Sequence, residues 1–235
     1  MLPKIAVPTF EMKLPSTDER ILYRPFLVKE EKVLLIAKQS GERVDIINAI
    51  KQVISACVLS DNFNIERITV FDMEYLFIKI RSISVGNEIE FSVTDSTDET
   101  TYDFKLNLDE VEVTFPENAS KEILLTDDIG IMMKYPTMDL SEKIAGMDDI
   151  LDIAEETVKS CIDYAFDKET TYPWNDESQE DKDEFFNSLN QSQYEKITEF
   201  FQRVPKIEHI FEYTNAKGED KKVYFRKIED FFLLG

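Results

Sequence analysis

The spacing of apolar residues changes several times along the chain, and each change predicts a different kind of backbone. Residues 3–27 carry Pro3, Pro8, Pro15 and Pro25. Proline removes a backbone donor and restrains the residue before it, so this stretch reads as an extended arm. Short strands are expected near residues 9–14 and over Arg20–Tyr23. Residues 26–38 turn helical, with Leu27, Leu34 and Leu35 on one side and Glu30, Glu31 and Lys32 outside; Gly41 is the stop. Residues 44–58 form a second amphipathic helix through Ile46, Ile47, Ile50, Val53, Ile54 and Val58. Residues 70–83 form a third, with Leu76, Phe77 and Ile80 inward.

The period then falls to two. Ile89, Phe91 and Val93 alternate with polar residues, as do Tyr102, Phe104, Leu106 and Leu108, which is the pattern of half-buried strands. The polar run 94–100 reads as the hairpin tip between them. Residues 122–125 and 130–135 are further strands. Residues 148–167 read as one helix, with Ile150, Leu151, Ala154, Val158, Cys161, Ile162 and Ala165 as the buried stripe. Asp148 and Asp149 lie in its first turn, where the helix dipole favours negative charge. Tyr172-Pro173-Trp174-Asn175 reads as a loop. Ser178 and Asp181 then resemble a cap for a helix carrying Phe185, Phe186 and Leu189. Ser192 and Glu195 look like a capping box for another, carrying Ile197, Phe200, Phe201 and Val204. A second hairpin closes the chain: residues 207–213, a tip at 215–218, then residues 222–226. The two hairpins share a pattern of strand, polar tip and strand, which fits coincidence as well as an internal repeat.

The expected fold class is therefore α+β: an N-terminal extended arm and helices, β-hairpins, and a C-terminal helical segment closed by a second hairpin. Four parts of one composite domain follow, at 1–87, 88–137, 138–206 and 207–235.

Charge narrows the function classes. The 235 residues hold 48 Asp and Glu against 27 Lys and Arg, a net charge of −21. Residues 139–190 alone hold 16 acidic and 4 basic side chains. A phosphate backbone or an anionic membrane needs clustered cations, so neither is an expected partner. No run of about 18 apolar residues occurs, so no membrane-spanning helix is expected. The first residues lack the apolar stretch of a signal peptide. Cys57 and Cys161 sit in apolar patterns and read as buried hydrophobes in a reducing setting.

Candidate chemistry is sparse. The chain has one histidine, His209, so no Ser-His-Asp set is available beyond it. Nucleotide-binding glycine loops are missing. Asp95, Asp98, Glu99 and Asp103 lack the glycine and spacing of a calcium loop and read as a solvated turn. Asp127 and Asp128 suit a strand turn. No catalytic residue, metal ligand or cofactor is expected. Tyr172 and Trp174 are partner-binding candidates, because exposed aromatics dominate binding hot spots; equally, they suit stapling their loop to its own core.

Several strings resemble one family. They are Pro8-Thr9-Phe10-Glu11, Tyr23-Arg24-Pro25-Phe26-Leu27-Val28-Lys29-Glu30-Glu31-Lys32, Phe71-Asp72-Met73-Glu74-Tyr75-Leu76-Phe77 and Leu125-Thr126-Asp127-Asp128-Ile129-Gly130. In order and over nearly the whole chain, they resemble the T4-type baseplate hub assembly family of contractile-tailed bacteriophages. The resemblance implies a non-enzymatic assembly chaperone that binds hub subunits as a hetero-oligomer, in the host cytoplasm during tail assembly. A structural subunit kept in the virion tail baseplate is the alternative, and an acidic host-interaction protein a further one. The resemblance also implies a Cys-x-x-Cys zinc knuckle at the hairpin tips of relatives. Here the tips, 95–100 and 215–220, carry no cysteine, so strand pairing and packing alone are expected to hold them. On this reading Tyr23, Arg24 and Phe26 are candidate partner contacts; the other expectation is that Phe26 fills the core and Arg24 pairs with a nearby carboxylate.

Overall fold

A computed structural model describes all residues except 1, 2, 4, 118, 145, 227, 229, 230 and 232–235, and of Ser141 and Glu142 the backbone alone. Its elements run β1 (Phe10–Lys13), β2 (Arg20–Tyr23), α1 (Val28–Ser40), α2 (Arg43–Cys57), α3 (Val70–Val85), β3 (Glu88–Thr94), β4 (Thr101–Asn107) and β5 (Val113–Thr114). Then come β6 (Glu122–Leu124), β7 (Gly130–Met133), α4 (Leu140–Lys143), α5 (Ile150–Ser160), β8 (Ile162–Phe166), β9 (Thr171–Pro173), α6 (Gln179–Asn187), α7 (Gln191–Gln202), β10 (Lys206–Ile207), β11 (His209–Thr214) and β12 (Asp220–Phe225). The fold is α+β, with helices and small antiparallel sheets. It divides into two compact units: Met1–Thr114 with Lys206–Gly235, and Phe115–Pro205.

In the first unit the proline-rich arm is a hairpin, β1 against β2, with Phe10 opposite Tyr23. β2 and the residue after it meet the end of α2 and the segment that follows: Leu59 N–H donates to Leu22 O at 2.7 Å and Arg24 N–H to Cys57 O at 3.0 Å. Helix α1 ends on Gly41 in the left-handed region, φ 71°, which glycine adopts without a Cβ clash. Three expected orientations at this helix are corrected. Leu27 and Leu35 are exposed, and Glu30 is buried, because the Glu30 carboxylate accepts from the Leu27 N–H and the Arg24 guanidinium at 2.9 Å each. A carboxylate with those donors is better inside than an extra leucine. Helices α2 and α3 follow their patterns, with Ile50, Val53, Ile54, Leu76 and Ile80 fully buried.

The hairpins β3–β4 and β11–β12 pack on each other. Phe91 of β3 meets Phe211 and Phe225 edge-on, at centroid distances of 5.0 and 4.7 Å. Phe104 meets Tyr213 at 5.4 Å. Around them Ile78, Leu106, Leu108, Val111, Ile207 and Phe231 complete a buried cluster. The tips meet through hydrogen bonds as well. Asp95 accepts from its own turn at Thr97 N–H (2.7 Å) and from the other hairpin at Tyr213 O–H (3.0 Å) and the Asn215 amide (3.3 Å). Asp98 accepts from Tyr102 O–H at 2.6 Å and Ala216 N–H at 2.8 Å. The expected solvated turn is corrected at Asp95, which is buried; Glu99 and Asp103 are exposed. Strand pairing and packing are not the whole of what holds the tips. The turns are alike, since Asn215 accepts from Lys217 N–H as Asp95 does from Thr97, and Gly218 and Glu99 are both left-handed.

These carboxylate oxygens are occupied by N–H and O–H donors. Among the described residues no group of three or more His, Cys, Asp or Glu is placed to hold a metal, so the tips do not fit the zinc knuckle that the resemblance implies.

The Thr97 N–H, Tyr213 hydroxyl and Asn215 amide outweigh desolvation and hold the Asp95 carboxyl down at about 2. A depressed folded value means stability that is complete above the ordinary 3.8 and is lost as pH falls toward about 2. Thermal unfolding across that window should show a steeper acid loss for the natural chain than for Asp95→Asn, which should also melt lower at neutral pH. An amide there presents N–H where Tyr213 needs an acceptor.

Candidate partner-binding site

The second unit is built on a four-stranded antiparallel sheet in the order β6-β7-β8-β9. Its central strand β8 was expected to be the second half of a helix. The helix ends at Ser160, where Cys161 N–H bonds back to Val158 O, and the chain continues extended. Both neighbouring strands then take up the backbone groups of β8. The apolar positions within 158–166 suit either helix or buried strand; sheet partners distant in sequence settled it. The expected buried stripe is also corrected at its start, since Ile150 and Leu151 are 77 % and 74 % exposed. Asp149 caps α5 by accepting from Leu151 N–H at 2.7 Å. The expected loop at Tyr172 and Pro173 is instead the edge strand β9.

Helices α6 and α7 flank this sheet region. Ser178 caps α6, accepting from Asp181 N–H at 3.1 Å, as expected. The box of α7 lies two residues earlier than expected, with Asn190 and Gln193 bonding each other's backbone N–H at 3.0 and 2.9 Å. Lys159 of α5 is buried and pairs with Glu155 and with Asp183 of α6. Burial works against its ammonium, but the two carboxylates hold its pKa above the ordinary lysine value.

Between β8, β9 and α6 lies a groove of about 280 Å³. Its walls are Ala165, Phe166, Tyr172, Trp174, Phe185 and Ile129, with Asp167, Glu177, Asp181 and Lys182 also lining it. Trp174 is buried at its base, edge-on to Phe185 at 5.7 Å. Lys182 Nζ stands 6.0 Å from the Trp174 ring centre. Tyr172 and Ile129 are each 41 % exposed, so one side is open. Tyr172 O–H donates to Asp167 at 2.9 Å, and Asp167 also accepts from Glu169 and Thr170 N–H. Those donors hold the Asp167 carboxyl below its ordinary value.

Phe166 owes its place to Gly130, its register partner on β7. A Cβ on Gly130 would lie 2.4 Å from the end of the Phe166 ring. Gly130→Ala should displace that ring and cost roughly 1–3 kcal/mol, as overpacking does. Thermal melts, with Trp174 emission as a report on the groove, would show both effects.

The structure brings Tyr172 and Trp174 together in this groove. It places the other candidates in the first unit. Tyr23 is buried on β2, its ring 6.0 Å from Phe10. Arg24 is enclosed, donating to Glu30 at 2.9 Å, Ala56 O at 2.7 Å and Pro25 O at 2.9 Å. Phe26 is half-buried and its N–H donates to Ser84. Burial pushes the Cys57 thiol up to about 11 and Cys161 to about 12, as inert core thiols require. His209 is held below its ordinary value by burial. Phe166, Phe185 and Ile129 escaped the sequence reading as site residues. The signal for Phe166 and Phe185 is the aromatic density between residues 164 and 186, masked where β8 reads as helix; Ile129 has no such signal.

Compared with models of known families, residues 7–233 match the one described as T4 bacteriophage base plate protein. No curated protein and no solved structure matches the chain.

Proposed function

The chain belongs to the T4 bacteriophage base plate protein family, and we propose that within baseplate structure or assembly it acts as a non-enzymatic assembly chaperone for the central hub. Its partners on this reading are hub subunits, bound as a hetero-oligomer in the host cytoplasm while tails are built. The observation that supports it most is the character of the second unit. Residues 115–205 carry 22 acidic against 8 basic side chains, yet expose Leu124, Ile129, Ile150, Leu151 and Tyr172. Apolar side chains standing in a field of one sign suit a protein surface of the opposite sign. Among the described residues no helix is long and apolar enough to cross a membrane. A subunit retained in the virion is the competing reading.

Mass spectrometry of purified virions beside infected-cell lysate separates the two. Abundance in the lysate with absence from particles is the expected result. A fixed copy number in particles would replace the chaperone with a structural subunit. Deletion of the gene should leave cells without complete baseplates; intact tails would overturn both.

A further inference from the structure

The groove beside Trp174 joins two features that seldom share one occupant. Its lining includes four aromatic rings, Phe166, Tyr172, Trp174 and Phe185, together with Asp167, Glu177, Asp181 and Lys182; Asp167 already accepts from Tyr172 O–H and its own turn, and Asp181 from Ser178 O–H. An uncharged apolar side chain would suit the rings and leave the acidic side chains beside them without a counter-charge. A strongly hydrated ammonium would suit the carboxylates and gain less from the rings. A guanidinium on an aliphatic stem satisfies both, because it is weakly hydrated, stacks on ring faces and meets carboxylates with a fork of donors. Lys182, 6.0 Å from the Trp174 ring, already places a cation against this wall. The volume, about 280 Å³, is that of one long side chain rather than a cofactor-sized ligand.

We infer that the groove is a docking site for an arginine side chain presented by a basic segment of a partner protein. Charge complementarity carries the choice of partner, given the 22 acidic and 8 basic side chains of this unit. That the segment belongs to a hub subunit rests on the function proposed above; the arginine specificity rests on the groove itself.

The test uses the full chain and its single tryptophan. Tetra-arginine amide is titrated while Trp174 emission is followed, beside tetralysine amide and the uncharged tetracitrulline amide. Saturable change is expected with tetra-arginine, roughly tenfold weaker binding with tetralysine, and none with tetracitrulline. Lys182→Ala should tighten tetra-arginine binding about threefold by removing a competing cation, and Glu177→Lys should weaken it about tenfold. Asp152→Lys makes the same charge change on α5 outside the groove and should move the affinity by less than about twofold. Equal binding of tetralysine and tetra-arginine would reduce the effect to general charge and overturn the inference. Equal effects of Glu177→Lys and Asp152→Lys, or no saturable signal, would do the same. Phage carrying Glu177→Lys should assemble fewer tails. Normal assembly by that variant, where deletion abolishes tails, would sink the groove's role in docking and leave the assembly function standing. Intact tails on deletion would sink the assembly function and leave the peptide result untouched.

Discussion

Arg24→Ala should lower the unfolding free energy by about 3 kcal/mol, the lower end of the cost of breaking a buried ion pair from one side. The guanidinium pairs with Glu30 at 2.9 Å, and the two side chains are only 13 % and 6 % exposed. It also satisfies two backbone carbonyls, at Pro25 and Ala56, so the loss strands acceptors as well as a carboxylate. Lys29 Nζ, 3.3 Å from Glu30, is a partial substitute and keeps the estimate at the lower end. Desolvation acts to raise the Glu30 carboxyl, but Arg24 and the Leu27 N–H outweigh it and hold it below its ordinary 4.5. The stability this group adds is therefore complete above 4.5 and declines as pH falls below it. Urea midpoints at pH 7 for Arg24→Ala, Glu30→Gln and the double variant would measure this. The double variant should be more stable than the sum of the singles, because it removes the stranded charge. A normal midpoint with lost capture of hub subunits would instead assign Arg24 to a partner.

Asp72→Ala should cost a similar amount, about 3 kcal/mol, by leaving buried donors unpaired. Asp72 is fully buried on α3 and accepts from Ser16 N–H at 3.0 Å, the Ser16 hydroxyl and the Thr69 hydroxyl at 2.7 Å. It serves two structures together. It is the third residue of the capping box that starts α3, and it anchors the arm hairpin between β1 and β2. Hydrogen exchange separates the two losses. Faster exchange confined to β1 and β2 would mean that the arm opens first, as expected when its turn loses the Asp72 carboxylate. Uniform acceleration across the first unit would mean that the α3 cap carries most of the energy.

Comparison of particular elements shows what pattern alone conveys. Helices α2 and α3, the strands β3, β4, β11 and β12, the Gly41 stop and the Ser178 cap all lie where apolar period and capping residues place them. Each depends on interactions within a few residues, and that is what a sequence displays. The arm was legible through its prolines. Glu30 was misplaced because its partner, Arg24, lies just after the preceding strand rather than on its own helix. The second half of residues 148–167 was misread because apolar period does not separate a buried strand from a helix. The strands β7 and β9 that pair with it approach from outside its own segment.

The candidate groove follows the same division. The sequence by itself determined its raw materials: the Tyr-Pro-Trp segment, the acidic run around it, and Gly130, which carries no Cβ. It also determined the family, through strings spread along nearly the whole chain. Only the tertiary structure decided that Phe166 lies over Gly130, that Trp174 turns inward to meet Phe185, and that Asp95 and Asn215, 120 residues apart, share a hydrogen bond. Those outcomes depend on which surfaces meet after the local elements have formed. Their free energy comes from desolvation and pairing between distant groups, and no local pattern records it.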